Sequence, residues 1–190
     1  MQVKADGTRN LKPCKVEMRH PEVDWPATWT VSNMKGLNPT EKTFLWRMLH
    51  NLLPTQARLF HLKIKKTLHP NCLLCDRLEP ADLSHSLLTC PFNMEVYTWL
   101  KGILQTHIPQ LQPQQVVLLH LGPLAEGLCL PLVWLISNTI SLIWEWDDRQ
   151  EKKKPRLHNT RSSLEAKVNI LRKSRYEETA LTILNLAGFS

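Results

Sequence analysis

The feature that most constrains this chain is one pattern of four side chains. Cys72 and Cys75 are separated by two residues, nine residues follow before His85, and four more precede Cys90. Zinc prefers four tetrahedral ligands drawn from these residue types. A two-residue gap lets one turn present both thiolates to one ion. A His and a Cys five positions apart lie on roughly the same side of a helix and its end, so they close the tetrahedron. Four protein ligands leave no open position for water, which makes such a site structural rather than catalytic. The stretch 67–80 holds too few apolar residues to fix a turn by itself. A bound metal, contributing on the order of 10 kcal/mol, would fix it.

Other readings of the same residues remain open at the level of sequence. The cysteines can act as small core hydrophobes, with His85 on a helix surface. A redox Cys-x-x-Cys usually opens a helix after a strand, and no strand pattern precedes Cys72. His69, three positions before Cys72, is a rival ligand, although its use would leave His85 or Cys90 redundant. Cys14 and Cys129 stand apart, and Cys129 between Leu128 and Leu130 reads as core. The first residues, Met1-Gln2-Val3-Lys4-Ala5-Asp6, lack the apolar core of a signal peptide. The expected compartment is therefore a reducing one, where close-set cysteines are metal ligands more often than disulfides. Nuclear and cytoplasmic locations are both compatible with this.

A length of 190 residues allows one to two domains with a real core. Apolar residues make up 43% and charged residues 22%, which argues against a rod or a wholly disordered chain. The formal net charge is +7, and it is unevenly placed. Lys42 to Lys66 holds six basic residues and no acid. Asp76 to Asp148 holds eight acids against Arg77 and Lys101. Arg149 to Arg175 holds ten basic residues against Glu151 and Glu165. Such a balance favours an anionic partner without naming one.

The pattern along the chain predicts a mostly α protein: a small zinc-stapled helical module followed by a C-terminal helical region. Residues 1–36 read as an irregular lead-in, because Pro13, Pro21 and Pro26 interrupt any long helix. Thr40 is expected to cap a first helix with Phe44, Leu45, Met48, Leu49 and Leu52 as its stripe. Pro54 is expected in the first turn of a second helix, with Leu59, Leu62 and Ile64 on its apolar side. A short helix is expected from Pro80 or Ala81 to Thr89. Another follows Pro91, with Phe92, Val96, Trp99, Leu100 and Ile103 on one face. Residues 108–148 read as a connector and an amphipathic helix. The run Val116–Leu119 within the connector fits either a strand or a buried turn.

The 18 residues Gly127–Trp144 carry no charge, near the lower limit for a membrane span. Asn138, Ser141, Glu145 and Asp148 nevertheless recur at helical spacing, so the segment reads as an amphipathic helix on a core. Residues 149–190 read as a basic linker around Lys152, Lys153 and Lys154, then a final helix opened by the capping box Ser162-x-x-Glu165.

Several residues together resemble a known family. They are the run Lys42-Thr-Phe-Leu-Trp46-Arg47-Met-Leu-His50-Asn51-Leu-Leu-Pro54-Thr55, then Arg58-Leu59, Cys72-x2-Cys75, Glu79, His85-Ser-Leu-Leu and Cys90-Pro91. This order is similar to the zinc-binding domain that follows the polymerase of LINE-type (non-LTR) retrotransposon reverse transcriptases. The likeness covers residues 37–104, and the domain is taken as 37–107. The tail around Arg161-Ser-Ser-Leu-Glu165 and Ser174-Arg175 is similar to the ends of such polyproteins, more weakly. The resemblance implies one structural Zn2+ held by Cys72, Cys75, His85 and Cys90. It also implies a C-terminal fragment that helps a parent protein hold RNA or DNA. No Tyr-x-Asp-Asp polymerase motif is present, so polymerase activity does not carry over and no enzymatic role is expected.

The expected partner is nucleic acid, RNA ahead of DNA, with the polymerase body of a parent protein as a second partner and no membrane. Arg47, Arg58, Lys63, Lys65 and Lys66 are the expected phosphate contacts. Trp46 and Trp99, which could stack on bases, are placed with the core because they fall on or near apolar stripes. Two alternative functions stand beside this one: a zinc-stapled structural or protein-docking domain, and an element remnant with no selected role.

Overall fold

A computed structural model of the chain describes residues 14–64, 69–75, 78–122, 124, 127–148 and 157–189, without the side chains of 146–148. The described residues are mostly helical and contain no strand beyond one isolated antiparallel bridge, Asn71 with Pro80. The mostly α expectation therefore holds. The helices are α1 (Lys15–Arg19), α2 (Trp25–Ser32), α3 (Pro39–Leu49), α4 (Gln56–His61), α5 (Met94–Gln105), α6 (Pro113–Val117), α7 (Cys129–Asp148), α8 (Leu157–Arg172) and α9 (Glu177–Ala187). A wide π-helical turn, His85–Thr89, lies between α4 and α5.

α7 is the centre of the bundle. It packs against α2, α3, α5, α8, α9 and the 85–89 turn. Leu132, Val133, Leu135, Ile136, Ile140 and Ile143 are all fully buried. Each such side chain contributes about 1.5–3 kcal/mol from leaving water. The expected polar stripe is buried at its start and wet farther on: Asn138 is buried, Ser141 half-buried and Glu145 exposed, while Ser137 and Thr139, off the stripe, are buried as well. α7 is thus a core helix from Pro131 to Ile140, where every residue is buried, and keeps a wet side only beyond it. Among the described residues, no helix is long and apolar enough to cross a membrane.

Asn138 connects three helices. Its Nδ2 donates to Glu41 Oε1 of α3 at 2.8 Å, and its Oδ1 accepts from Lys167 Nζ of α8 at 3.1 Å. The second oxygen of Glu41 accepts from the backbone N–H of Asn38 at 2.7 Å, while Asn38 Oδ1 accepts from the N–H of Glu41. This reciprocal pair is a capping box. It places the start of α3 at Asn38-Pro39 and corrects the expected Thr40 cap.

Other boundaries differ from expectation for local reasons. α4 is capped by Thr55, whose hydroxyl accepts from the N–H of Arg58, so Pro54 lies just outside the helix. Of its expected apolar side, Leu59 is half-buried, while Leu62 and Ile64 fall beyond the helix and are 52% and 43% exposed; Ala57 is the buried residue. The Val116–Leu119 run is neither strand nor simple turn; its first half completes α6, and all four residues are buried. α8 starts at Leu157, five residues before the expected cap, so Ser162 lies within the helix. The helix ends at Arg172, and a turn over 173–176 separates it from α9, so the expected final helix is two.

The described part of the lead-in is also more ordered than expected. α1 and α2 are short, as the prolines require, but Val16, Val23 and Trp25 enter the same hydrophobic core as Ile183 and Ala187 near the far end. That core runs on from the zinc-stapled segment into the C-terminal helices. Lys65, Lys66, Lys152, Lys153 and Lys154 lie outside the described residues.

Candidate metal centre

The segment between α4 and α5 folds back on itself through a few backbone bonds. The N–H of Cys72 donates to the carbonyl of Glu79 at 3.0 Å, and the N–H of Ala81 donates to the carbonyl of Pro70 at 2.9 Å. This narrow pairing brings the Cys72–Cys75 turn beside the wide turn that begins at His85. Asp82 starts that turn, its Oδ1 accepting from the N–H of His85 at 2.8 Å. The N–H of Cys90 then donates to the carbonyl of His85 at 2.9 Å, which folds Cys90 back towards the histidine. Buried Asn93 fixes the exit, donating to the carbonyl of Ser86 at 2.6 Å.

The result is a cluster in which one ligand atom from each of Cys72, Cys75, His85 and Cys90 lies within 4.8 Å of all the others. Cys72 Sγ and Cys90 Sγ are 3.9 Å apart, and Cys75 Sγ is 3.5 Å from His85 Nε2. A tetrahedron with Zn–S bonds of about 2.3 Å has sulfur–sulfur edges of about 3.8 Å and slightly shorter sulfur–nitrogen edges. Both distances match. The backbone N–H of Leu74 points at Cys72 Sγ from 3.4 Å, a donor suited to a thiolate.

None of the five cysteines forms a disulfide. Half-buried Cys129 packs against the core near Met34. His69 is exposed and outside the cluster, its carbonyl accepting from Gln56 Nε2. The rival ligand is thereby set aside.

The electrostatics call for a cation. Burial pushes the Cys72 thiol up, and burial followed by the nearby Cys72 pushes the Cys90 thiol up to about 12. Three sulfurs in this space hold their charge only if a positive ion compensates it. Zinc supplies that charge, and the donor set of three thiolates and one imidazole suits it. The cluster is the site of one structural zinc ion.

Glu79, one of the residues that carry the resemblance, is the orienting group for the histidine, a role the sequence pattern did not reveal. Glu79 Oε2 lies 3.1 Å from His85 Nδ1. A carboxylate on Nδ1 fixes the ring and leaves Nε2 for the metal. Glu79 stands six positions before His85, which would put them on different faces of a helix, and the fold brings the two together. Asp82 stands three residues before the N–H it accepts from, the spacing of a helix N-cap, which is the signal that could have found it.

The expected phosphate-contacting residues sit on the elements just before this site. Arg47 is exposed on α3, and Lys63 is exposed at the end of α4 with φ +55°. Arg58 is half-buried, with Nη1 donating to the carbonyl of Asn51. Trp99 is partly buried beside Phe189, as expected of a core residue. Trp46 departs from the same expectation: it is 50% exposed. The buried stripe of α3 runs Glu41, Leu45, Met48, Leu49, and position 46 is turned away from it.

No curated protein and no solved structure matches the chain. Residues 15–99 match the family model described as zinc-binding in reverse transcriptase, beginning well ahead of residue 37, and the chain thus carries a zinc-binding domain of the reverse-transcriptase type.

Proposed function

We infer that this chain is the C-terminal zinc-binding module of a LINE-type reverse transcriptase. In this reading it binds nucleic acid, RNA ahead of DNA, without reading sequence and without catalysing a reaction. The observation that carries the reading is the run Lys42–Lys66, with six cations and no acid, which leads directly into the zinc site. Arg47 and Lys63 reach solvent from it, and Arg58 is held in place by its bond to the Asn51 carbonyl. Cations on a helix surface grip phosphates, which positions a strand but reads no bases. The zinc site supports the same reading. Its four protein ligands leave no place for a reactive water, so its work is to hold the segment that follows the basic run.

The test is fluorescence anisotropy of the zinc-loaded protein with a labelled single-stranded RNA across a salt series. Binding is expected at low salt, with log affinity falling linearly in log salt by about 0.7 for each phosphate neutralised. Arg47→Ala and Lys63→Ala should each weaken binding and reduce that slope by about the same increment. Absence of binding at low salt would contradict the reading.

A further inference from the structure

Trp46 is an exposed ring, but it is not a loose one. Its centroid lies 4.7 Å from that of His50, with the planes tilted by 47°. His50 in turn lies 5.3 Å from Trp29 at 21°, and Trp29 lies 5.3 Å from Trp25 at 30°. Four rings therefore run in sequence from buried Trp25 to the open face of Trp46. The inner members are pinned. Trp25 Nε1 donates to the carbonyl of His20 at 2.9 Å, and Trp29 Nε1 donates to Glu17 Oε1 at 2.8 Å. A ring already held against a neighbouring ring loses little freedom on binding a ligand, which favours a strong contact.

The charges around the outer ring are positive. Lys42 is one helical turn before Trp46 on the same face, and exposed Arg47 is its neighbour. The acids Glu17, Asp24 and Glu41 lie near the stack or its helix, and each is committed; Asp24 accepts from the N–H of Ala27. Glu17 holds Trp29 and the N–H of Cys14, and buried Glu41 holds Asn38 and Asn138.

We propose that Trp46 is a stacking platform for an unpaired nucleobase, and that the chain consequently grips single-stranded nucleic acid in preference to duplex. The proposal rests on the nucleic-acid reading above and adds a residue and a strand preference to it. A duplex hides its base faces in the stack, whereas a single strand offers a free π face to an aromatic ring between cations. Lys42 and Arg47 then follow the backbone on either side of the stacked base. A protein partner is the less favoured occupant, because the cores of protein interfaces are depleted of lysine, whereas Lys42 lies one helical turn from this ring.

The experiment compares wild type, Trp46→Ala and Trp46→Phe for binding to labelled oligo-uridine about 12 nucleotides long and to an RNA duplex of equal length. Helical circular dichroism and zinc content verify that each variant is folded, as an exposed position permits. Trp46→Ala should weaken single-strand binding about tenfold, the scale of one stacked base, with duplex affinity and the salt slope unchanged. Trp46→Phe should retain most of the affinity. If wild type binds single strands and Trp46→Ala binds them equally well, the platform is wrong while the nucleic-acid reading stands. Equal losses on single strand and duplex would also overturn it. If wild type binds neither, the nucleic-acid reading fails and the proposal with it, leaving the ring to a protein partner.

Discussion

Asn138 shows how much one residue can hold that a sequence pattern does not reveal. At helical spacing from Ser141 and Glu145 it reads as part of a wet stripe. In the fold it is 2% exposed and bonded to Glu41 and Lys167, partners 97 and 29 residues away. Removing it leaves a buried carboxylate without its amide and an ammonium without its acceptor. Asn138→Ala is expected to lower stability by about 2–3 kcal/mol, measured by urea unfolding with an unchanged m-value. An effect near zero would mean that water replaces the amide at no cost. Trp46 is the opposite case. Its type suggests core, and its position one step off the Leu45–Met48–Leu49 stripe puts it outside. The zinc ligands were legible because metal geometry constrains them locally, through turn and helix spacing. The part Glu79 plays was not, because its bond to His85 exists only once the turn has closed.

At the scale of elements, helix existence was more legible than helix boundaries. The stripes of α3 and α5 are carried by local periodicity, but their ends are set by which polar side chain reaches which N–H. Asn38 outcompetes Thr40 because Glu41 can answer it, and Ser162-x-x-Glu165 has the form of a box yet lies inside a longer helix. The end of α9 is a case where a local rule suffices. Gly188 has φ +61°, and the N–H of Phe189 returns to the carbonyl of Leu184 at 3.0 Å. This turn carries Phe189 to Trp99, with centroids 6.1 Å apart, and brings Arg161 over the Phe189 ring. Gly188→Ala should cost about 1 kcal/mol, because a Cβ is disfavoured in the left-handed region. Thermal denaturation would check it, and an unchanged midpoint would show that the terminal turn adds nothing.

At the scale of the whole molecule, one core joins α1 to α9 around α7, while the described residues between 69 and 80 place no side chain in it. The fold therefore divides its stabilisation between hydrophobic burial and metal binding, and pH acts on the second. In the metal-free protein Cys72 and Cys90 are raised by burial, Cys90 to about 12. The unfolded chain releases those protons near an ordinary thiol value of about 8.5, so the folded state binds more protons above that pH. Chelated protein should accordingly lose stability as pH rises from 8 to 10. Zinc-loaded protein carries thiolates and should fail at the other end, releasing metal as acid protonates its ligands. Melting curves with and without chelator across pH would separate the two trends, and a single common trend would contradict the assignment of charge.

The central claim is that Cys72, Cys75, His85 and Cys90 hold one zinc. Metal analysis of the purified protein tests it most directly, with Cys90→Ser, His85→Ala and His69→Ala measured beside wild type. One zinc per chain is expected in wild type and in His69→Ala, with a marked loss in Cys90→Ser and His85→Ala. Wild type purified from zinc-replete medium without zinc, or a His69→Ala protein that loses the metal while His85→Ala keeps it, would contradict the account.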